Sequence, residues 1–382
     1  MLTPKMQMTK TELKPFEDLA QSFAARELAP NRKANDSYPF GPFFDAVLTK
    51  AYEAGLLGIT IPEECSGAGQ GIGALCVILE RISAVDAGLS GIIFTNALAQ
   101  EIMLSAGGKD TLKEIMGQAA GARSALIAYP AFCNPHEITN KLEAVKINDT
   151  YTLNGTIEYV VLGGLAGHAL VPACVKGQDG RQDGYTFFLI DQEGNGLTKS
   201  APIFSLGLHA CPAVDLTLAG VQGVLIGKEG AGTGYFDHAS DRMHAAVAAI
   251  QCGIMKGAFQ EALSYSQERF QGGREIINWS ALRMVLGDMA VQAGIADMVV
   301  SGAAMAVDQQ DPQWGLSARA AALHLSDLAC KLTTDGIQVL GGNGYMKDYG
   351  QEKRFRDAKQ VQALLGLFPL RKLGLVRAMA KG

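Results

Sequence analysis

Gln338-Val-Leu-Gly-Gly-Asn-Gly-Tyr345, followed by Arg356-Asp-Ala-Lys359, is the stretch whose reading decides the fold. It reads as the end of one helix, a glycine turn, a short link and the start of a last helix. Gly341, Gly342 and Gly344 end the helical pattern, because glycine costs about 1 kcal/mol inside a helix and tolerates positive φ. Backbone without a Cβ also lets a flat or phosphorylated ligand come close. On its own, the same turn serves as a plain helix C-cap.

Outward from that turn, the 382 residues suffice for one large domain or two to three smaller ones. Hydrophobic residues make up 48% and charged residues 19%, an ordinary globular composition on the apolar side. A net charge of −5 leaves no basic footprint, which sets nucleic acid aside as a partner. Glycine and proline are scattered without period, which excludes collagen-like and low-complexity classes. Cysteines at 65, 76, 133, 174, 211, 252 and 330 show no Cys-x-x-Cys and no paired His/Cys spacing. Neither a metal site nor a disulfide framework is expected, and the thiols fit a reducing, cytoplasmic setting. Met1-Leu-Thr-Pro-Lys5 has neither a secretory nor a transit pattern. No run of eighteen apolar residues occurs, so no membrane span is expected.

Residues 9–120 read as helices. Leu13, Phe16, Leu19 and Phe23 fall three and four apart on one apolar face, and Phe43, Phe44, Val47 and Leu48 begin another helix. Ile61-Pro-Glu-Glu-Cys-Ser-Gly-Ala-Gly-Gln-Gly71 is a loop. Helices resume over 75–82 and 89–103. Near Arg123 the period falls to two. Residues 142–160 alternate, with a hairpin turn expected at Asn154-Gly155. Residues 186–190 read as a short buried strand between turns at 177–184 and 191–196. From Lys228 the period returns to 3.6. Val247, Ile250, Ile254, Ala258 and Ala262 form a stripe in a helix expected over 241–270. Helices over 276–305, 316–340 and 356–376 would complete a bundle. The expected organisation is a helical domain over 1–121, a β-domain over 122–227 and a helical bundle over 228–382.

The segment from Gln338 to Tyr345, with Lys347-Asp-Tyr349, Glu352-Lys353 and Arg356-Asp-Ala-Lys359, resembles the C-terminal signature of the acyl-CoA dehydrogenase family. In that family the matching Gln-x-x-Gly-Gly lies against the adenosine diphosphate half of an FAD held by the neighbouring subunit. The resemblance extends, unevenly, over nearly the whole chain. The loop at 61–71 is similar to the family's Pro-Glu-x-x-Gly-Gly-x-Gly turn, with Ser66 in place of the pair's first glycine. The resemblance implies an α+β fold of N-terminal helical domain, middle β-barrel or sandwich and C-terminal four-helix bundle, four subunits meeting through the bundles. It also implies an FAD-dependent oxidoreductase acting on acyl-CoA, with an electron-transferring flavoprotein as acceptor.

The family's reaction removes an α-proton from an acyl-CoA thioester and passes the β-hydride to the flavin. It needs a carboxylate base of raised pKa, donors at the thioester carbonyl and a flavin held flat against the acyl chain. Most members place the base six residues after the lysine of Arg-Asp-Ala-Lys, and Leu365 stands there. Others carry it within Asp-x-Glu-Arg on a bundle helix. The match is Asp241-Arg-Met-His244, so Met243 fills the second position. His244 is then the candidate substitute base, since imidazole titrates near neutrality. It also reads as a hydrogen-bonding residue near the helix start, and Asp241 as the helix N-cap. The resemblance places both at the substrate.

The family's own-subunit flavin loop, Thr-Glu-Pro-x-x-Gly-Ser-Asp, matches Ala128-Tyr-Pro-Ala-Phe-Cys-Asn-Pro135, where only Pro130 survives. Its Trp-Ile-Thr strand matches Tyr159-Val-Val161, without the hydroxyl, and Glu158 adds a negative charge. Tyr129 and Val161 remain candidates through their backbone. The contacts supplied to a neighbour's flavin fare better. Arg269 matches the pyrophosphate arginine, and a guanidinium fork suits phosphate oxygens. Gln271, Gln338, Val339, Gly341 and Gly342 join it as cofactor-binding candidates, while Gly272 replaces a phenylalanine and Trp279-Ser280 a His-Gln pair. What the chain needs for its own catalysis is altered, and what it would supply to a partner is mostly present. The expected role is the base-lacking subunit of a heteromeric acyl-CoA dehydrogenase, with FAD shared with or held mainly by the partner. A self-sufficient FAD enzyme with a changed base or chemistry and a non-redox acyl-CoA-binding scaffold stay open.

Overall fold

The computed structural model describes residues 10–38, 43–135, 137, 142–148, 150–176 and 184–380. Helix α1 (Lys10–Phe23) runs through a π turn and a 3₁₀ turn into α2 (Arg32–Asn35). Then come α3 (Phe43–Glu53), α4 (Ile72–Ser83), α5 (Ala87–Ser105), α6 (Lys109–Gln118) and α7 (Ala122–Ala125). On α1, Leu19 is 37% exposed and Ala20, four residues after Phe16, takes its place in the core. Helix α5 is buried on every side, the pattern of a core helix, and its Asn96 and Gln100 both donate to the Leu57 carbonyl. Asp86 caps it, accepting from the Gly88 N–H at 2.9 Å. The loop before α4 turns at Ser66 with φ 62°, a conformation that glycine takes without strain.

The middle strands are β1 (Ile127–Ala128), β2 (Leu142–Ile147), β3 (Thr150–Val161), β4 (His168–Val175), β5 (Thr186–Asp191), β6 (Leu197–Lys199) and β7 (Ala213–Ile226). Strands β4, β2, β3, β7 and β5 pair in a ring, so the sheet closes into a barrel; β1 adds to β4 and β6 to β7. Closure removes the open edges a sheet would otherwise expose. Leu153, Leu170, Phe187 and Phe188 are fully buried. The hairpin turn lies earlier than expected, between Ile147 and Thr150. Asn154 and Gly155 fall inside β3, where its register against β7 shifts. Gly155 adopts φ 125° and the Asn154 side chain accepts from the Gly220 N–H at 2.8 Å. The extra residue at this shift is Gly220 of β7, at φ 76°, so Asn154-Gly155 faces a bulge where a turn was expected. The expected strand at 186–190 is β5; of the expected turn at 177–184, residues 177–183 lie outside the described residues.

The last third holds α8 (Gly232–Glu268), the hairpin β8 (Phe270–Gln271) with β9 (Arg274–Glu275), α9 (Ser280–Gln309), α10 (Trp314–Leu340), α11 (Gln351–Val361) and α12 (Phe368–Met379). Helix α8 begins well before Asp241, so that residue lies inside the helix and is not its N-cap. Gly253 and Gly257 let α8 touch the N-terminal region: a Cβ on either would stand 2.2 Å from the Glu80 carbonyl or 2.1 Å from that of Ala84. The helix expected over 356–376 is two helices. The chain breaks at Leu365 and Gly366, with φ 67° and 112°, before Pro369 at the start of α12. Helix α9 is long and apolar enough to cross a membrane by length and composition, but only 33% buried within the protein. Its inner face packs Leu286, Met289 and Val300, while Met284, Val291, Met298 and Met305 repeat every seven residues on the outer face and are 51–74% exposed. A heptad stripe of this kind is what helix pairing buries.

One cross-link between regions titrates. His209, in the loop before β7, faces the Asp36 carbonyl at 2.8 Å and carboxylate at 3.1 Å through Nδ1, and the Ser205 carbonyl at 2.9 Å through Nε2. Only the imidazolium can donate from both nitrogens. The Asp36 carboxylate raises the His209 pKa against the effect of burial. The stabilisation is therefore full below the ordinary histidine value, about 6.5, and is lost as pH rises through the raised folded value. Hydrogen exchange around Asp36 and Ser205 is expected to speed up at alkaline pH beyond its intrinsic increase. That excess should vanish in His209→Ala; an unchanged excess in the variant would place the titration elsewhere.

Candidate functional site

The start of α8, the start of α10, the bend between α11 and α12 and the loop after β1 enclose a cleft in two parts. An outer cavity of about 590 Å³ is bordered by Asp237, Arg319, Leu373 and Arg377. An inner cavity of about 90 Å³ is bordered by Phe236, His244, Leu365 and Arg371. Asn134, Glu137, Asp237, Arg319, Leu370 and Gly374 border both.

Leu365, at the first expected base position, is 2% exposed, and its N–H donates to the Ala131 carbonyl at 2.8 Å. The next residues are held from the barrel side: the Leu367 N–H donates to both Glu137 oxygens, at 3.1 and 2.9 Å. Met243, at the second position, is fully buried. Phe236, Asp237, Ser240 and His244 of α8 border the inner cavity with Leu365, and the buried titratable one among them is His244. Its Nδ1 lies 2.6 Å from the Ser240 carbonyl one turn back, so Nδ1 carries the proton and Nε2 the lone pair. Burial, then Arg371 and Arg319, hold the His244 pKa well below the ordinary value. It is neutral at pH 7 and a weak base, suited to accepting a hydrogen bond at Nε2 more than to abstracting an α-proton. Asp241 pairs with Arg319 across α8 and α10. Burial pushes its carboxyl up in pKa and the Arg319 bond opposes this.

Flavin contacts divide into two halves. Tyr129 and Val161 form an isolated bridge, each N–H donating to the other's carbonyl, at 3.1 and 3.0 Å. Both side chains are fully buried, and neither N–H is left for a flavin. The loop after β1 is engaged instead by this chain's own Leu365 and Leu367. Among the described residues, Tyr129 and Val161 therefore offer no backbone N–H to the inner half of an FAD. The outer half finds exposed groups. Arg269 and Gln271 are exposed at the β8–β9 hairpin, as are Gln338, Gly341 and Gly342 at the end of α10. Val339 is 4% exposed. Nothing lies within 4 Å of where a Gly341 Cβ would stand. Open backbone at Gly341 and an exposed guanidinium at Arg269 are each a setting for phosphate oxygens. Glu80, Cys252 and Asp297 approach one another as metal ligands would. The Lys256 ammonium sits between the carboxylates, 2.6 Å from Glu80 and 2.5 Å from Asp297, and neutralises them.

Family models for the acyl-CoA dehydrogenase N-terminal and C-terminal domains match residues 10–120 and 230–367. The chain belongs to the acyl-CoA dehydrogenase family. It is 28% identical to the cyclohexane-1-carbonyl-CoA dehydrogenase of Geobacter metallireducens, over 98% of both chains. It superposes on the butyryl-CoA dehydrogenase of Megasphaera elsdenii with a TM-score of 0.86, at 24% identity over 98% of this chain and 100% of that one. It superposes with a TM-score of 0.88 on a chain from a structure of the electron transferring flavoprotein of Acidaminococcus fermentans, at 27% identity over 99% of this chain and 100% of that one. The fold expected from the sequence, helical then β-barrel then helical bundle, is the acyl-CoA dehydrogenase fold.

Within this family member, sequence reading missed Arg319, Arg371 and Glu137. The one local signal was Arg371, a cation in the apolar run Phe368-Pro-Leu-Arg-Lys-Leu-Gly-Leu375. Arg319 and Glu137 join it only through the packing of α10 and the barrel loop.

Proposed function

We propose that this protein acts on acyl-CoA thioesters in the cytoplasm as the base-lacking subunit of a heteromeric acyl-CoA dehydrogenase, completing an FAD held mainly by its partner. The observation that carries this reading is the cleft beside Leu365, where the buried titratable neighbour on α8 is a neutral, weakly basic His244. Two carboxylates border the same space. Glu137 has both oxygens on the Leu367 N–H, and Asp237 is exposed. Enolising a thioester needs an acceptor of raised pKa in an apolar site. The exposed Arg269, Gln338 and Gly341 support a role toward a partner's cofactor, whose bound flavin would accept the hydride. The outer stripe of α9, with exposed Leu373, Val376 and Met379 on α12, supports burial against other subunits. The acyl-CoA dehydrogenases it resembles support the substrate class, and an electron-transferring flavoprotein is the fitting acceptor.

Expression alone and with a glutamate-bearing family subunit tests the reading. The lone protein should show little flavin absorbance and no dehydrogenation. The mixed oligomer should show both, and Arg269→Ala in this chain should lower its flavin content. Full flavin and turnover in the lone protein would overturn it. One observation favours a self-sufficient enzyme instead: Glu137 lies against Gly366, where a Cβ would stand 2.8 Å from its Oε1. Loss of turnover in Glu137→Gln, with flavin retained, would establish that second reading.

A further inference from the structure

We propose that the inner cavity binds a carboxylate, gripped side-on by the Nε and Nη2 edge of Arg371. Arg371 is 8% exposed and borders that cavity. Its Nη1 is anchored by two backbone carbonyls, Gln362 at 3.2 Å and Leu364 at 2.9 Å. That leaves Nε and Nη2, which are buried and have no partner among the described residues. These two nitrogens share one edge of the planar guanidinium, the fork that meets both oxygens of a carboxylate at once. Buried donors without acceptors are rare in folded proteins, and a charged pair of them on a fixed side chain marks a missing ligand atom. Burial lowers the Arg371 pKa to about 10, which leaves it cationic at neutral pH.

The charges around it leave that cation uncompensated. Arg319 is paired with Asp241. Glu137 raises the Arg371 pKa from a distance but forms no ion pair with it. His244 is neutral. Phe236, Leu365 and Leu370 form the apolar part of the wall, beside the polar Asn134 and Ser240 and the exposed Asp237. Alkyl carbons suit the apolar part, and the carboxylates of Glu137 and Asp237 on the same wall disfavour the higher charge of a phosphate. The ligand is thus a carboxylate on a short hydrocarbon. It comes either as a free acid or as the far end of an acyl thioester that fills the outer cavity. The second source rests on the acyl-CoA reading above; the first does not.

Calorimetric titration of the full-length protein tests this with four probes: butyrate, inorganic phosphate, butyryl-CoA and succinyl-CoA. Butyrate, succinyl-CoA or both should bind, and phosphate should not. Arg371→Lys keeps the charge without the fork and should weaken carboxylate binding about 10- to 100-fold, with a larger loss for succinyl-CoA than for butyryl-CoA. If butyrate binds and neither thioester does, the carboxylate site stands and the acyl-CoA reading fails. If butyryl-CoA binds while butyrate and succinyl-CoA do not, the proposal falls and that reading stands. Equal carboxylate affinity in Arg371→Lys also overturns it. A check independent of any variant is the thermal midpoint of the unaltered protein: sodium butyrate should raise it above sodium chloride or phosphate at equal ionic strength, and equal midpoints count against the site.

Discussion

Replacing Lys353 with methionine is expected to destabilise the protein by about 3–5 kcal/mol, the usual penalty for stripping one partner from a buried ion network. The Lys353 ammonium lies 2.9 Å from Asp86 and 2.6 Å from Asp357, with side chains 7%, 1% and 3% exposed. Burial opposes its charge, but the two carboxylates outweigh burial and hold its pKa above that of an ordinary lysine. The network reaches further. Asp86 caps α5 and accepts from Asn35, and Asp357 accepts from the Leu208 N–H at 2.7 Å. The N-terminal helices, the barrel loop and the bundle therefore meet at one buried charge cluster. Without the lysine, two carboxylates stay buried side by side. Denaturant titration followed by tryptophan fluorescence gives the readout. A loss under about 1 kcal/mol would mean that water enters and relieves the charges.

The second large effect is chemical. In deuterium oxide, the lone protein is expected to exchange the α-protons of a bound acyl-CoA about 10²- to 10⁴-fold more slowly than a glutamate-bearing relative. The measurement isolates the first half of the reaction and needs no flavin turnover. His244→Ala should leave the slow rate unchanged, because a buried neutral imidazole beside two arginines resists protonation. Exchange at the relative's rate would show that a working base exists. Glu137→Gln would then decide whether the barrel loop supplies it.

Much of the fold was legible in the sequence because its helices carry long apolar periodicities and its turns carry glycine. The C-terminal turn at Gly341 and the loop at Ser66 stand where the pattern placed them. The errors have local causes. Asn154-Gly155 signals positive φ but not whether a turn or a bulge uses it. Asp241 resembles a cap, yet the helix had already begun among small and polar residues from Gly232. Residues 356–376 keep a helical pattern across Leu365, because a leucine does not announce a left-handed backbone. At the candidate site, Met243 and Leu365 could be read, through the resemblance to the family's motifs, as standing at its base positions. The Arg319–Asp241 pair and the unpaired edge of Arg371 could not, since they arise where helices distant in sequence converge.

The bend at Leu365 and Gly366 is fixed by Ala131 and Glu137 through main-chain atoms, with no call on the leucine side chain. The identity of residue 365 is thereby uncoupled from the path of the polypeptide around it. Exchanging the leucine for an acid would thus alter the chemistry of the inner cavity without removing the hydrogen bonds that set the bend, at the cost of placing polar atoms where Leu365 is packed.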